Sequence, residues 1–438
     1  MNSSMAIAAR TLSCALRRLG LCAALALPAG VAAQPLPPYA LQSRVAEHVL
    51  PLLGSLRQLV GIESGSRDLE GLGKIGEFIA GHLQASGLAV QTLPTQAPDF
   101  HPQLKGAKLG AMVYATRRGT GQKKVLLIAH MDTVYARGVG ANQPFRIDGD
   151  KAYGLGISDD KGGVALILHT VRLLNDLGLA DYAQLGVLIN ADEEIGSPGS
   201  AAFITQLGSE YDAVLSFEGG GFEQDMVRLA TSSIASVEMK ITGKASHAGA
   251  NPEGGRNALY EMAHQVLKSR NLGHPERGLK INWTVANAGA TRNVIPATAT
   301  AAADVRARTD ADLDLMEAAL RESIKSQLIP DTTIELTFRR GRPAFVGNAV
   351  SKVLAQHAQS VFRELGLPLQ VRDRANGGGT DAAFAGLRPK GGVLESLGLR
   401  GYGAHSNDNE YVFVSSIAPR LYLATRMVMD VGSGKLAW

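Results

Sequence analysis

Gly156-Ile157-Ser158-Asp159-Asp160-Lys161-Gly162-Gly163 is the stretch from which the fold is read. It sets two adjacent carboxylates in a glycine-flanked turn. Directly after it, Val164, Ile167, Val171, Leu174 and neighbouring apolar residues recur at helical spacing. Such a turn holds acid side chains at the carboxyl end of a sheet, where open α/β folds gather their ligands. Upstream, residues 124–129 are a continuous apolar run ended by His130. Downstream, 186–190 lead to Asp192-Glu193-Glu194, and 213–217 lead to Glu218. Continuous apolar runs suit strands buried on both faces. Their alternation with helical patterns predicts a mostly parallel sheet with helices on both faces.

Helical patterns are also expected around 46–60 and 72–86, after a proline-rich lead-in at 34–50. Near residue 232 the texture changes. Residues 236–242 alternate like a half-buried strand, 257–269 look helical, 279–288 and 293–307 look like strands, 310–327 form an amphipathic helix, and 332–339 give one more strand. The order βαββαβ closes into a small sheet with two helices on one side. The expected fold class is therefore α/β, with this α+β unit inserted at 232–342 between a first part (34–231) and a second part (343–438) of the main domain.

The chain has 438 residues, 45% of them hydrophobic and 19% charged with mixed signs. That is enough for two domains and a sizeable core. No run of like charges stands out, which argues against nucleic acid as a partner. Residues 1–33 carry Arg10, Arg17 and Arg18, no acid, an apolar run at 19–29, and small residues ending at Ala33. This is the pattern of an export signal cleaved near Ala33. Pro28 and Gly30 interrupt the run, so it is a poor membrane span. Cleavage removes three arginines and no acids, lowering the formal charge from +4 to +1. It also removes Cys14 and Cys22, leaving no disulfide or thiolate chemistry. The expected product is periplasmic or secreted, with no membrane contact once the signal is gone.

Zinc takes nitrogen and oxygen ligands, and two ions a few ångström apart need a shared carboxylate. The strand ends and turns offer His130, Asp159, Glu194 and Glu218, and His405 arrives from a late loop. Five ligands with one bridging give three to each metal. Glu193 is left over as a candidate general base, and Asp132 stands two residues after His130, placed to orient its ring. Taken singly, these residues have ordinary accounts: Asp159 and Asp160 as a helix cap, Glu193 and Glu194 as a solvated pair, Gly377–Gly379 as a turn. The combined order along the chain is what those accounts leave unexplained.

His130-x-Asp132, Asp159-x-Lys161-Gly162-Gly163, Asp192-Glu193-Glu194, Glu218 and His405 together resemble the di-zinc exopeptidases of clan MH, the M20 peptidases. Within that family the chain is most similar to the periplasmic glutamate carboxypeptidases. The resemblance implies two Zn2+ per subunit, with Co2+ an admissible substitute. Asp159 bridges, His130 and Glu218 hold one ion, Glu194 and His405 hold the other, and a cis peptide follows Asp159. It implies that the inserted unit is a lid and dimerisation domain of a homodimer, hinged near 230 and 343. From that unit His247 and Asn293 reach the substrate's carbonyl or carboxylate. Arg306, Arg342, Gly378, Gly379 and Thr380 are candidate contacts to the α-carboxylate of the residue released. One departure weakens a preference for glutamate: Met226 stands where glutamate-specific relatives carry a lysine, with Arg228 nearby.

The function expected from these residues is hydrolysis of an amide bond in a small peptide or N-acyl amino acid, releasing a C-terminal amino acid. Two rivals are an aminoacylase or dipeptidase acting on residues other than glutamate, and a non-catalytic periplasmic binding protein.

Overall fold

The computed structural model describes residues 38–99, 104–406 and 408–438. The expected export signal, with Cys14 and Cys22, lies outside the described residues. The described residues open with α1 (Pro38–Gly61), eight residues earlier than the sequence pattern suggested. Leu41 and Val45 are buried along with Leu52, Leu56 and Leu59, so the apolar stripe begins inside what reads as a proline-rich lead-in. Pro38 fits the first helical position, where its missing N–H costs nothing. Pro51 sits within the helix on its exposed side.

Next come α2 (Leu69–Ala85), β1 (Ala89–Gln96), β2 (Lys108–Arg118), β3 (Lys124–His130), α3 (Gly162–Asp176), β4 (Gln184–Asn190), α4 (Ala201–Glu210) and β5 (Ala213–Ser216). Beyond them lies the second sheet, built from β6 (Ser233–Thr242), α5 (Ala258–Ser269), β7 (Lys280–Ala288), β8 (Thr298–Ala307), α6 (Asp310–Ser323) and β9 (Thr333–Arg340). The chain then supplies α7 (Ala349–Glu364), β10 (Gly392–Leu394) and α8 (Ile417–Gly432).

The main sheet has the order β1-β2-β4-β3-β5-β10. Its centre is parallel, β4 on β3, β3 on β5 and β5 on β10, whereas β1 and β2 add on antiparallel. Helices cover both faces. In β3, Val125 and Leu127 join the core formed with α1, α3 and α8, while Leu126 and Ile128 join the core formed with α4. Alternate residues of one strand thus feed two layers, which is why the run is apolar throughout.

The second sheet has the order β7-β8-β6-β9, antiparallel throughout. Val237, Val305, Leu313 and Met316 form one of its cores, Met239, Ile241 and Met262 another. The observed order is βαββαβ. β8 starts later than expected because Asn293-Val-Ile-Pro296 is a loop, and α6 ends at Ser323 rather than near 327.

Candidate active site

The ends of β3, β4 and β5 lie side by side, so the residues that follow each strand meet at one edge of the sheet. His130 closes β3, Glu193 and Glu194 follow β4, and Glu218 follows β5. Asp159 enters from the turn before α3, which is drawn tightly against β5. A Cβ on Gly163 would collide with Phe217 O and the Asp160 carboxylate, so only glycine permits the approach. The peptide between Asp159 and Asp160 is cis, as the resemblance implied.

His130 Nε2 lies 3.0 Å from Asp159 Oδ1 and 3.5 Å from Glu218 Oε1. His405 Nε2 lies 3.3 Å from Asp159 Oδ2 and 3.2 Å from Glu194 Oε2. Two triads result, His130–Asp159–Glu218 and Asp159–Glu194–His405, each with its ligand atoms within 4.8 Å of one another. Asp159 gives one oxygen to each. All five expected ligands therefore converge.

The electrostatics reflect crowding of acids. Burial, then the neighbouring Asp159, pushes the Glu218 carboxyl well above its usual range. Glu194 is raised by burial in spite of His405. Burial alone would lower His130, but Asp132, Asp159 and Glu218 hold it well above the ordinary imidazole value. Asp159 and Glu194 hold His405 up at about 10. Asp159 is held low by the two imidazoles against its own burial.

Asp132 is buried and does more than face His130. Its carboxylate lies 3.4 Å from His130 Nδ1 and accepts Ser66 Oγ at 2.7 Å, Glu193 N at 3.0 Å and Glu194 N at 3.1 Å. One carboxylate thus sets both the ring and the backbone that carries the two glutamates.

Glu193 is buried and ion-paired with Arg342. Burial raises its carboxyl, with the Arg342 guanidinium opposing. Arg342 also donates to Glu193 O at 2.8 Å, Gly379 O at 2.9 Å and Ser197 Oγ at 3.1 Å. The candidate carboxylate clamp is therefore engaged by the candidate base. Arg306 is engaged as well, bidentate to Asp304 and 3.1 Å from Gly377 O. It fastens β8 to the glycine loop rather than presenting a free guanidinium. Gly378 O accepts Ser232 N at 2.7 Å, and Thr380 follows in the same loop.

His247 is exposed on the second sheet's side of the molecule, bridged to Val294, with Ala248 N on Asn293 O at 2.9 Å. Its Nδ1 accepts Gly249 N at 3.2 Å and Ala250 N at 3.1 Å, which leaves Nε2 as the donor. Among the described residues no hydrogen bond or ion pair joins His247 or Asn293 to the five converging ligands. Met226 and Arg228 share a short strand (Met226–Arg228) and, being two apart, the same face of it. Arg228 Nη1 donates to Asn376 Oδ1 at 3.2 Å, beside the glycine loop.

Sequence reasoning missed Glu410. Its fully buried carboxylate accepts Gly156 N and Ser158 N at 2.8 Å, Asp159 N at 3.2 Å and Tyr135 Oη at 2.7 Å. It braces the turn that carries Asp159. Asp381, the residue after Thr380, is a second buried carboxylate that sequence reasoning gave no role. It takes Asn190 Nδ2 at 2.7 Å and the Ser197 hydroxyl, and lies 3.6 Å from Arg342.

The model of peptidase family M20/M25/M40 matches residues 126–430, a span that contains every one of these ligands. The chain belongs to this family. It is accordingly a hydrolytic enzyme. Among curated M20 relatives, it is 44% identical to carboxypeptidase G2 of Pseudomonas sp. (strain RS-16) over 88% of this chain and 90% of that one. Among solved structures, a dipeptidase from Saccharomyces cerevisiae superposes with a TM-score of 0.72 at 16% identity, covering 90% of this chain and 98% of that one. A tripeptidase from Staphylococcus aureus gives 0.70 at 21% identity, with 88% and 98% covered. At these identities the two structures speak to the M20 fold alone.

Proposed function

We propose that the chain is an exported zinc carboxypeptidase that hydrolyses an amide bond and releases a C-terminal amino acid, glutamate foremost, from a small peptide or N-acyl amino acid. The observation that carries this is the sharing of Asp159 between two triads with Glu193 alongside. The similarity to carboxypeptidase G2 over most of both chains supports removal of a C-terminal residue.

The donor set fits a pair of divalent ions. Five nitrogen and oxygen donors converge, and Glu194 Oε1 is buried without a hydrogen-bond partner. His130, Asp159 and Glu218 would hold one zinc, and Asp159, Glu194 and His405 the other. When bound, the ions supply Lewis acidity that acidifies water and polarises the amide carbonyl. Glu193 takes one proton from the attacking water and returns it to the leaving nitrogen, and the water's second proton follows, so amide and water become a carboxylate and an ammonium group. Arg342 turns from Glu193 to the substrate's α-carboxylate, which offers a bidentate partner, with Gly378, Gly379 and Thr380 adding donors from the loop. Arg306 holds that loop in place.

Residues 232–342 act as the lid and dimerisation unit of a homodimer, hinged near 230 and 343. His247 Nε2–H and Asn293 are delivered to the carbonyl oxygen from the partner subunit. Arg228 supports a preference for glutamate, and Met226 beside it supports the second reading, an aminoacylase or dipeptidase for neutral residues. Metal analysis with a panel of N-acyl amino acids tests the proposal. Two zinc ions per chain and release of the free amino acid are expected. Ligand binding without metal or turnover would favour the periplasmic binding protein and overturn it.

A further inference from the structure

An amide hydrolase needs room on both sides of the bond it cuts. Arg342 and the glycine loop reach the site at Glu193. At Glu194 the site opens instead into a groove of about 610 Å³, within the range of pockets that hold drug-sized groups. Beyond Glu194 itself, nothing in the proposed chemistry uses this groove.

Its floor is rigid. Residue 65 bridges residue 133 in parallel, Ser66 N donates to Thr133 O at 3.1 Å, and Thr133 N donates to Ser64 O at 2.9 Å. A Cβ on Gly65 would collide with Tyr135 O, so this backbone contact needs glycine. Ser66 is tied in turn to Asp132, which orients Glu193 and Glu194. The groove is thus fixed to the same scaffold as the ligands.

Its walls are of two kinds. Val134, 45% exposed, and Ile195 present apolar surface beside Glu194. Arg137 is on the rim but is committed to Asp68 and Glu70. Arg67 also lines the groove, is exposed, and among the described residues has no carboxylate within ion-pair distance. A groove that touches Glu194 and is lined by both apolar side chains and an uncommitted cation is complementary to a group with an apolar body and an anionic end.

We propose that this groove is the acyl-side subsite, and that it takes a bulky acyl group, its body against Val134 and Ile195 and an anionic substituent on Arg67. The assignment rests on the amide-hydrolase reading of the site.

The test compares kcat/KM for N-acetyl, N-benzoyl and N-(4-carboxybenzoyl) forms of one amino acid, using the full enzyme loaded with zinc. Val134→Trp, which narrows the groove, is expected to lower the two aryl substrates tenfold or more through KM while the acetyl substrate keeps at least half its rate. Arg67→Gln is expected to lower the carboxybenzoyl substrate alone, by about tenfold, and to abolish its loss of affinity with added salt. Equal losses on all three substrates, or none, would overturn the subsite while leaving amide hydrolysis standing. If the unaltered enzyme cleaves none of the three, the hydrolase reading falls, and the subsite with it.

Discussion

Arg342 and Glu193, 149 residues apart in the chain, form a buried ion pair inside the cluster of acids that ends the main sheet. The guanidinium proposed to take an incoming carboxylate is held meanwhile by the group proposed to move the proton. An arriving α-carboxylate would therefore free the base as it takes the arginine. Glu193→Gln should lower kcat by about 10²–10⁴-fold and leave the metal content unchanged, as read by steady-state kinetics and elemental analysis. Near-normal turnover would rule Glu193 out as the base.

Chelation should abolish activity and lower the thermal midpoint, because acids that cations hold together repel once those cations are gone. Zinc should restore both, at two ions per chain. Asp159→Asn should impair binding of both ions, whereas Glu218→Gln or His405→Gln should weaken mainly one. Loss of a single ion in the Asp159 variant would show that the carboxylate does not bridge.

Glu410 acts through the backbone of the metal turn rather than by touching a substrate. Glu410→Gln keeps the shape but loses acceptor strength toward Gly156 N, Ser158 N and Asp159 N. Metal affinity should fall about 10–100-fold, with saturating zinc recovering most of kcat. A competition assay against a metal-sensitive dye would report it. A kcat defect that zinc cannot repair would argue against this positioning role.

Arg228 offers a specific test of glutamate preference. Arg228→Gln should lower kcat/KM for N-acyl glutamate by about 10–100-fold, the usual worth of a charge-assisted hydrogen bond. The matching N-acyl glutamine should change less than twofold. Parallel changes on both would mean that Arg228 only supports the loop at Asn376.

His48 on α1 and His169 on α3 are buried edge to face, their ring centroids 5.8 Å apart, with Ser55 Oγ 3.0 Å from His169 Nε2. Burial, then His48 and Arg172, pushes His169 down to about 3. Burial, then Arg172, lowers His48, with Asp176 and Glu47 opposing and Arg44 adding to the fall. His82 on α2 also opposes a charge on His169. The folded state binds fewer protons than the unfolded one, so this packing stabilises fully above pH 6.5. It loses that contribution, on the order of a few kcal/mol, as pH falls from 6.5 towards 3. His169→Gln should flatten the acid limb of a denaturation profile. An unchanged limb would place the acid sensitivity elsewhere.

Much of this molecule was legible because the buried strands announce themselves. Residues 125–129, 185–189 and 213–215 carry no polar side chain, and each run is followed within a few positions by an acid or imidazole that belongs to the site. The β1–β2 hairpin was not legible. β1 is mostly exposed and contains Pro94, so neither alternation nor an apolar run marks it. The start of α1 was hidden by prolines that the helix tolerates at its first turn and on its outer side. Glu410 escaped because its role depends on partners about 250 residues away in sequence, which no local pattern encodes. The pairing of Arg342 with Glu193 has the same origin.

The Tyr135–Glu410 hydrogen bond spans 275 residues and locks the turn bearing Asp159 from behind. During synthesis, the first four ligands emerge long before the segment that steadies them. Capture of cations must therefore come late, after nearly the whole polypeptide has been made. A nascent or truncated chain ending before this glutamate would lack the acceptor that Gly156 N, Ser158 N and Asp159 N share, and the turn carrying Asp159 would be left without that brace.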